Sequence, residues 1–395
     1  MVTEQMYHYS LDAPSLQRDS VVSLLKPPTI PESSWGGKVY VNSCSGLFVL
    51  ALSPYNIVLW NPTIRESRKI PSPISIHGEE QFYTFYGLGY DSPSSKDDYK
   101  IVGLGLIYHL DGHDVQIFST KSDSWKLIGK LPVSYDIEGD MVVADGIKNY
   151  ESIPSGKIMN GRRVSHSSAG VEISYGYDSP SSKDDYKIVR LGLIYHPDGH
   201  DVQIFSTKSD SWKLIGKLPV SYDIEGDMVV ADGIVYMIID EPPDNKFILS
   251  LCLKNENFEE ILFQGHRDLL MEKPNLFTVE GCLCLTKFSS LINELADFEV
   301  WRMKKNGTMS YSWSKVLAIT VPVPDDNWLC TRIHVLPVSF MKDGGILFRR
   351  SKAELLFYDP KTQKFEEVKI AGLEASLYFY RALTYVETLI SPNAL

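Results

Sequence analysis

The chain has 395 residues, 44 % of them hydrophobic and 11 % aromatic, which supplies a substantial core and excludes disorder throughout. Acidic side chains outnumber basic ones by 50 to 39, for a formal net charge of −11, and the basic clusters are short pairs such as Lys304–Lys305 and Arg349–Arg350. Nucleic acid is thereby a poor partner, because phosphate backbones reward cationic patches through counterion release.

In chain order, residues 1–38 read as an N-terminal extension, in which SVVSLLKP (Ser20–Pro27) has apolar spacing. The opening MVTEQMYHYSLDAPSLQRDS lacks a basic-then-apolar signal pattern. No apolar run approaches the ~18 residues that a membrane-spanning helix needs. The expected location is the cytoplasm, with the nucleus as the other compartment.

Residues 39–395 read as one large all-β domain. IVLWNPTIRESRKI from Ile57 is an apolar run, a polar break and a second β-prone run, which is how a hairpin announces itself. YTFYGLGYD from Tyr83, YKIVGLGLIYH from Tyr99 and VQIFSTKSDSWKLI from Val115 then predict four strands in succession. The loudest feature follows: residues 89–147 and 176–234 are the same sequence except at Gly103/Arg190 and Leu110/Pro197. Residues 148–175 between the copies are polar and Ser/Gly-rich, and read as a linker.

The hairpin grammar recurs in ILSLCLKNENFEEILF from Ile248, more loosely in FEVWRMKKNGTMSYSWSKVLAI from Phe298, and in ELLFYDPKTQKFEEVKI from Glu354. Its second strand often starts on an aromatic (Trp212, Phe258, Trp313, Phe365), at separations of about 46 to 55 residues, slightly stretched relative to the ~40–50 of propeller blades. Such a ring can wedge between adjacent sheets and bury a large area. Trp60, Trp125, Trp212 and Trp313 are therefore expected in the core. SSLINELADFE from Ser289 is the best helix candidate, yet it is short and runs straight into a strand pattern. Leu377–Ile390 is the candidate for closing the ring. An extra blade would force every blade interface to readjust, so one copy of the duplicated segment is expected to be displaced from the ring.

Candidate chemistry is sparse. Cys44, Cys252, Cys282, Cys284 and Cys330 are odd in number and form no CxxC pair; buried free thiols are expected. His109-Leu-Asp-Gly-His113 and His196-Pro-Asp-Gly-His200 would converge on a metal if helical, but Asp-Gly between strand runs marks a hairpin tip, with the histidines expected in solvent. SPSSKDD, from Ser92 and again from Ser179, reads as a polar loop. Gly103-Leu-Gly105 has no following helix to cradle a phosphate. No catalytic, cofactor or metal residue is assigned, and partner-binding residues are unknown at this stage.

NSCSGLFVL from Asn42 with WNPTIRESRKIP from Trp60 resembles the opening of plant F-box-associated domains, and GYDSPSSKDDYKIV followed by VQIFSTKSDSWKLI is similar to that family's middle tract. FEVWRMKKNGTMSYSWSKV and ALTYVETLISP resemble its later motifs, with S-locus F-box relatives sharing the middle tract and the tail. The resemblance implies a β-propeller-like fold of the kelch/galactose-oxidase-related kind. It also implies a protein-interaction module serving as substrate receptor of an SCF-type ubiquitin ligase, with a target protein as partner. Residues 1–38 do not resemble an F-box, so contact with the SCF adaptor and cullin is expected only if an F-box is supplied or cryptic. The alternatives are a fragment that binds targets without ligase recruitment, and a kelch-like enzyme. No cofactor, nucleic acid or membrane is expected.

Overall fold

A computed structural model describes residues 40–53, 56–74, 82–92, 95–106, 113–131, 142–143, 157–160, 171–177, 186–192, 199–206, 208–219, 221–231, 233–241, 245–261, 274–279, 282–288, 295–306, 310–322, 335–341, 344–350, 354–368, 382–385 and 387–395. Successive strands fold back on one another as antiparallel meanders, called blades here. Blade 1 is β1 (Tyr40–Cys44), β2 (Leu47–Ser53), β3 (Asn56–Asn61) and β4 (Glu66–Ile70). Blade 2 is β5 (Phe82–Ser92), β6 (Ser95–Leu106), β7 (His113–Ser119) and β8 (Ser124–Leu131). After β9 (Val142–Val143) and β10 (Lys157–Asn160), blade 3 is β11 (Val171–Tyr177), β12 (Tyr186–Gly192), β13 (His200–Ser206) and β14 (Ser211–Leu218). Blade 4 is β15 (Asp223–Ala231), β16 (Ile234–Glu241), β17 (Asn245–Cys252) and β18 (Asn257–Ile261). Blade 5 is β19 (Asn275–Val279), β20 (Cys282–Phe288), β21 (Leu295–Asn306) and β22 (Ser310–Pro322). Blade 6 is β23 (Val335–Phe340), β24 (Ile346–Arg350), β25 (Glu354–Asp359) and β26 (Lys364–Glu367), and β27 (Ala382–Tyr385) follows.

Burial explains the strand sequences. First strands meet near the centre: β1 lies against β5, and β15 against both β11 and β19. Middle strands are covered on both faces by neighbouring blades, so they read as near-continuous apolar runs. Val235–Ile239 of β16 and Ile248–Leu251 of β17 are buried without a break. Fourth strands face outward and turn polar, as in SWKLIGKL of β14 and NFEEI of β18. Among the described residues the helical content is one 3-10 turn, Pro392–Ala394. The described part of the helix candidate from Ser289 lies in β21.

The turns between third and fourth strands share one backbone solution. The residue just before the fourth strand is left-handed in five blades: Arg65 (φ 60), Asp123 (φ 49), Asp210 (φ 52), Glu256 (φ 56) and Gln363 (φ 53). A short side chain often organises the same turn. Asn61 Oδ1 accepts from Thr63 N at 2.8 Å, and Asp359 Oδ1 from Lys361 N at 2.9 Å.

Each copy of the duplicated segment supplies the second, third and fourth strands of a blade, and the two blades stand side by side, so the expected displacement does not occur. Ladder registers coincide, including the bulge after Val115 in one and after Val202 in the other. Each blade face is apolar and complementary to the next, so the second copy finds a neighbour on either side. Residues 148–175, expected as linker, contain β10 and the start of β11.

The end of the chain also differs from expectation. β27 pairs with β10, Leu383 opposite Met159, and adds no strand to blade 1. Glu387–Leu395 returns to blade 1 through side chains instead. Asn61 Nδ2 donates to the carbonyls of Thr388 and Ile390 at 2.9 and 2.8 Å, and Arg68 to that of Leu395 at 2.6 Å. Buried Asn61 needs acceptors for its amide, and an irregular tail has free carbonyls to offer. Residues 371–381 lie outside the described residues.

Candidate interaction surface

The blades are stapled at the outer edge by a repeated device. The third residue of a fourth strand reaches the left-handed turn residue of the next blade. Arg68 meets Asp123 at 2.6 Å, Lys126 meets Asp210, and Lys213 meets Glu256. Glu256 also receives buried Lys187, whose Nζ donates to its Oε1 at 3.2 Å and to the Leu253 carbonyl at 2.6 Å. Desolvation pushes the Glu256 carboxyl up, but the hydrogen bonds and charges of Lys213 and Lys187 outweigh it and hold the group below the usual carboxylate range. Asp98 behaves likewise within blade 2: burial raises it, while Lys100, Ser119 and the Lys121 amide together lower it further.

The sequence-selected aromatics are wedges, as expected. Trp60 is buried on β3, while Trp125 and Trp212 are second in their fourth strands and Trp313 fourth in β22, and all three pack into the interblade clusters. Trp125 stands opposite Phe118 with ring centroids 5.5 Å apart, and its Nε1 donates to the Pro71 carbonyl of blade 1 at 2.7 Å.

Other selected residues are placed differently. His200 starts β13 opposite Leu218 and is 8 % exposed, not in solvent at a hairpin tip. Gly199 before it presses against the Leu218 backbone; a Cβ there would lie 2.3 Å from the Leu218 carbonyl oxygen. His109 and His196 lie outside the described residues, as does Cys330. Cys44 and Cys284 are buried and Cys252 and Cys282 half-buried, all free thiols; Arg302 lies 3.0 Å from Cys282 Sγ. Gly103 is buried within β6; the first SPSSKDD tract, expected as a loop, runs from the end of β5 into β6, with Ser92 opposite Ser95, while the second (179–185) lies outside the described residues. Among the described residues no group of three or more His, Cys, Asp or Glu side chains gathers in metal-binding geometry.

The feature that sequence reading missed is on the outside. Large apolar side chains stand in solvent on three fourth strands: Leu127 (38 % exposed), Leu214 (52 %) and Val316 (50 %). Leu127 lies opposite Gln116, whose amide grips the backbone of Ile74 from both sides at 2.9 and 2.8 Å, and Ile74 is itself 47 % exposed. Leu214 occupies the same position opposite Gln203. Around them β8 and β14 carry lysines and no acid, whereas β18 and β26 carry the pairs Glu259–Glu260 and Glu366–Glu367. The arrangement offers apolar contact points framed by cations on blades 2 and 3, and an anionic edge on blades 4 and 6. In sequence Leu127 follows Trp125 at the spacing of two that marks one strand face, so it reads as core.

Meanders around a common centre, with first strands inside and fourth strands outside, define a β-propeller. The model for the F-box associated beta propeller domain matches residues 2–146 and 161–392, and the chain belongs to that family. It is 36 % identical over 406 aligned positions to F-box protein CPR1 of Arabidopsis thaliana, covering 97 % of this chain and 73 % of that protein. An F-box/kelch-repeat protein of Arabidopsis thaliana is 24 % identical, with 60 % of this chain and 68 % of that protein covered. Of solved structures, the Dos1 propeller superposes with a TM-score of 0.42 at 9 % identity, over 85 % of this chain and 84 % of that one.

Proposed function

We propose that the chain is a protein-recognition module that captures a target protein for an SCF-type ubiquitin ligase. The relationship that carries this reading is the one to F-box protein CPR1 across nearly the whole chain. By that analogy, target capture falls to the propeller, and an F-box, in this chain or supplied by another, would contact the SCF adaptor. The role is binding, not turnover, and the place of action is the cytoplasm or nucleus. The contact surface is the outer edge of blades 2 and 3, where Leu127 and Leu214 leave apolar area in water that a partner would cover.

The test is affinity capture of the tagged chain from plant cells, beside the double variant Leu127→Asp, Leu214→Asp. Both exposed positions tolerate a carboxylate, so melting temperatures should match. A protein that is recovered by the parent, lost from the variant and stabilised when the parent is depleted supports the proposal. Equal recovery by both chains removes the assigned surface. Recovery of the target without adaptor or cullin favours binding without ligase recruitment.

A further inference from the structure

Residues 387–395 reach blade 1 without joining a sheet, and one hydroxyl holds the turn that seats them. Ser391 is the N-cap of the 3-10 turn Pro392–Ala394, in the extended conformation that precedes a proline (φ −79, ψ 125). Its Oγ donates to Glu66 Oε2 on β4 and accepts from the Asn393 amide at 3.2 Å. Pro392 is buried next to it, while Leu389 on the approach is 83 % exposed. A segment held mainly by side chains opens locally far more readily than a strand inside a ladder.

Positive charge is scarce around that hydroxyl. Glu66 also accepts from Asn393 Nδ2 at 3.4 Å. Arg68, two residues along β4 on the same strand face, is already divided between partners. One guanidinium nitrogen meets the carbonyls of Leu395 and Pro392 at 2.6 and 3.5 Å, and the other meets Asp123 at 2.6 Å. The cluster thus holds two carboxylates, Glu66 and Asp123, and one engaged guanidinium. Arg65, beside Glu66 in the turn, is exposed.

We propose that Ser391 is a phosphorylation site for a proline-directed protein kinase, and that the phosphate releases the tail from blade 1. Ser391-Pro392 is the dipeptide such kinases read. In the transfer, Ser391 Oγ bonds to the γ-phosphorus of a nucleoside triphosphate and the bond from that phosphorus to the β,γ-bridging oxygen breaks. Nucleoside diphosphate leaves, and the hydroxyl proton passes to the base of the kinase. The product has lost its donor to Glu66 and sets a charge of about −1.5 to −2 against that carboxylate. Repulsion detaches the turn, and Asn61 gives up the Thr388 and Ile390 carbonyls that it grips at 2.9 and 2.8 Å. Ile390 and Leu395 then leave the apolar cluster that joins blades 1 and 2, uncovering a strip of blade 1. The switch is independent of any role in a ubiquitin ligase.

The test uses the full chain. It is treated with a purified proline-directed kinase, ATP and magnesium, and mass spectrometry locates the phosphate. The chain is also made with phosphoserine inserted at position 391 during translation, and hydrogen–deuterium exchange of residues 387–395 is compared with the parent. Phosphate on Ser391 is expected, with tail exchange about tenfold faster in the phosphoserine chain and blades 3 and 4 unchanged. In a Glu66→Gln background, where the amide oxygen still accepts from Ser391 but carries no charge, the acceleration should fall below about threefold. Ser391 left unmodified by the kinase overturns the proposal. So does tail exchange that phosphoserine leaves unchanged or slows, as capture by Arg65 or Arg68 would produce, and so does equal acceleration with Glu66 replaced.

Discussion

The second to fourth strands of blades 2 and 3 are built from almost the same residues, and they differ in what those residues touch. In blade 2 the indole of Trp125 donates to Pro71, whereas that of Trp212 in blade 3 is buried with no acceptor among the described residues. Trp212 instead packs on Gly129 of blade 2, where a Cβ would sit 2.9 Å from its Nε1; the equivalent Gly216 leaves 3.7 Å to Phe258. Lys100 stays in its own blade on Asp98, while Lys187 crosses to Glu256 in blade 4. Identical sequence thus specifies the sheet, and the neighbour specifies how its polar groups are satisfied. Paired substitutions at equivalent positions separate the two contributions.

The largest contrast should come from the indoles. Trp125→Ala removes a buried ring and its hydrogen bond and should cost about 4 kcal/mol in urea unfolding, against about 2 kcal/mol for partly buried Trp212→Ala. Equal losses would break the comparison. Trp212→Phe should be neutral or slightly stabilising, because it deletes an unpartnered N–H, while Trp125→Phe should cost about 1 kcal/mol.

Gly129→Ala should cost about 2 to 3 kcal/mol, since the methyl overlaps Trp212 at a backbone φ of 149° that side chains avoid. Gly216→Ala should stay within about 0.5 kcal/mol. Combining Gly129→Ala with Trp212→Ala should recover much of the first loss, which a double-mutant cycle measures.

The edge ion pairs sharpen the contrast further. Glu256→Gln should cost about 2 kcal/mol, because it strips the carboxylate from buried Lys187, whereas Asp210→Asn, opposite well-exposed Lys126, should cost no more than about 0.5 kcal/mol. Glu256 also sets a pH dependence. Its folded pKa lies below the unfolded value, so the stabilisation is complete above the unfolded pKa, near ~4.3, and is lost as pH falls through the folded one. Chemical denaturation between about pH 6 and 3 should show a shallower decline in Glu256→Gln than in the parent. Equal slopes would remove Glu256 from that account.

Hairpins were legible in sequence because their signals are local. An apolar run, a Lys-Ser-Asp-Ser or Asp-Pro turn and a second run encode strand, reversal and strand within about fourteen residues, as in VQIFSTKSDSWKLI. The aromatic wedges were legible for the same reason, recurring at one point of the hairpin. The outer surface was not. Leu214 and Trp212 share a strand face and a pattern, yet one stands in solvent and the other against blade 2. His200 belongs to an Asp-Gly tip in sequence and to a buried strand end in the structure, because Gly199 presses on a backbone that sequence does not place nearby.

Sequence alone determined the all-β meander, the turn positions and the repeated blade, all of which follow from hydrogen-bonding and burial periodicities within one hairpin. Tertiary structure decided which copy of DIEGDMVVA became the inner strand of blade 4 and which made the brief parallel pairing of β9. Two identical segments have identical intrinsic preferences, so the difference lies in their neighbours: Ile234–Glu241 follows the second copy directly and folds back on it after a tight turn. After the first copy the sequence continues KNYESIPSG in place of that apolar run.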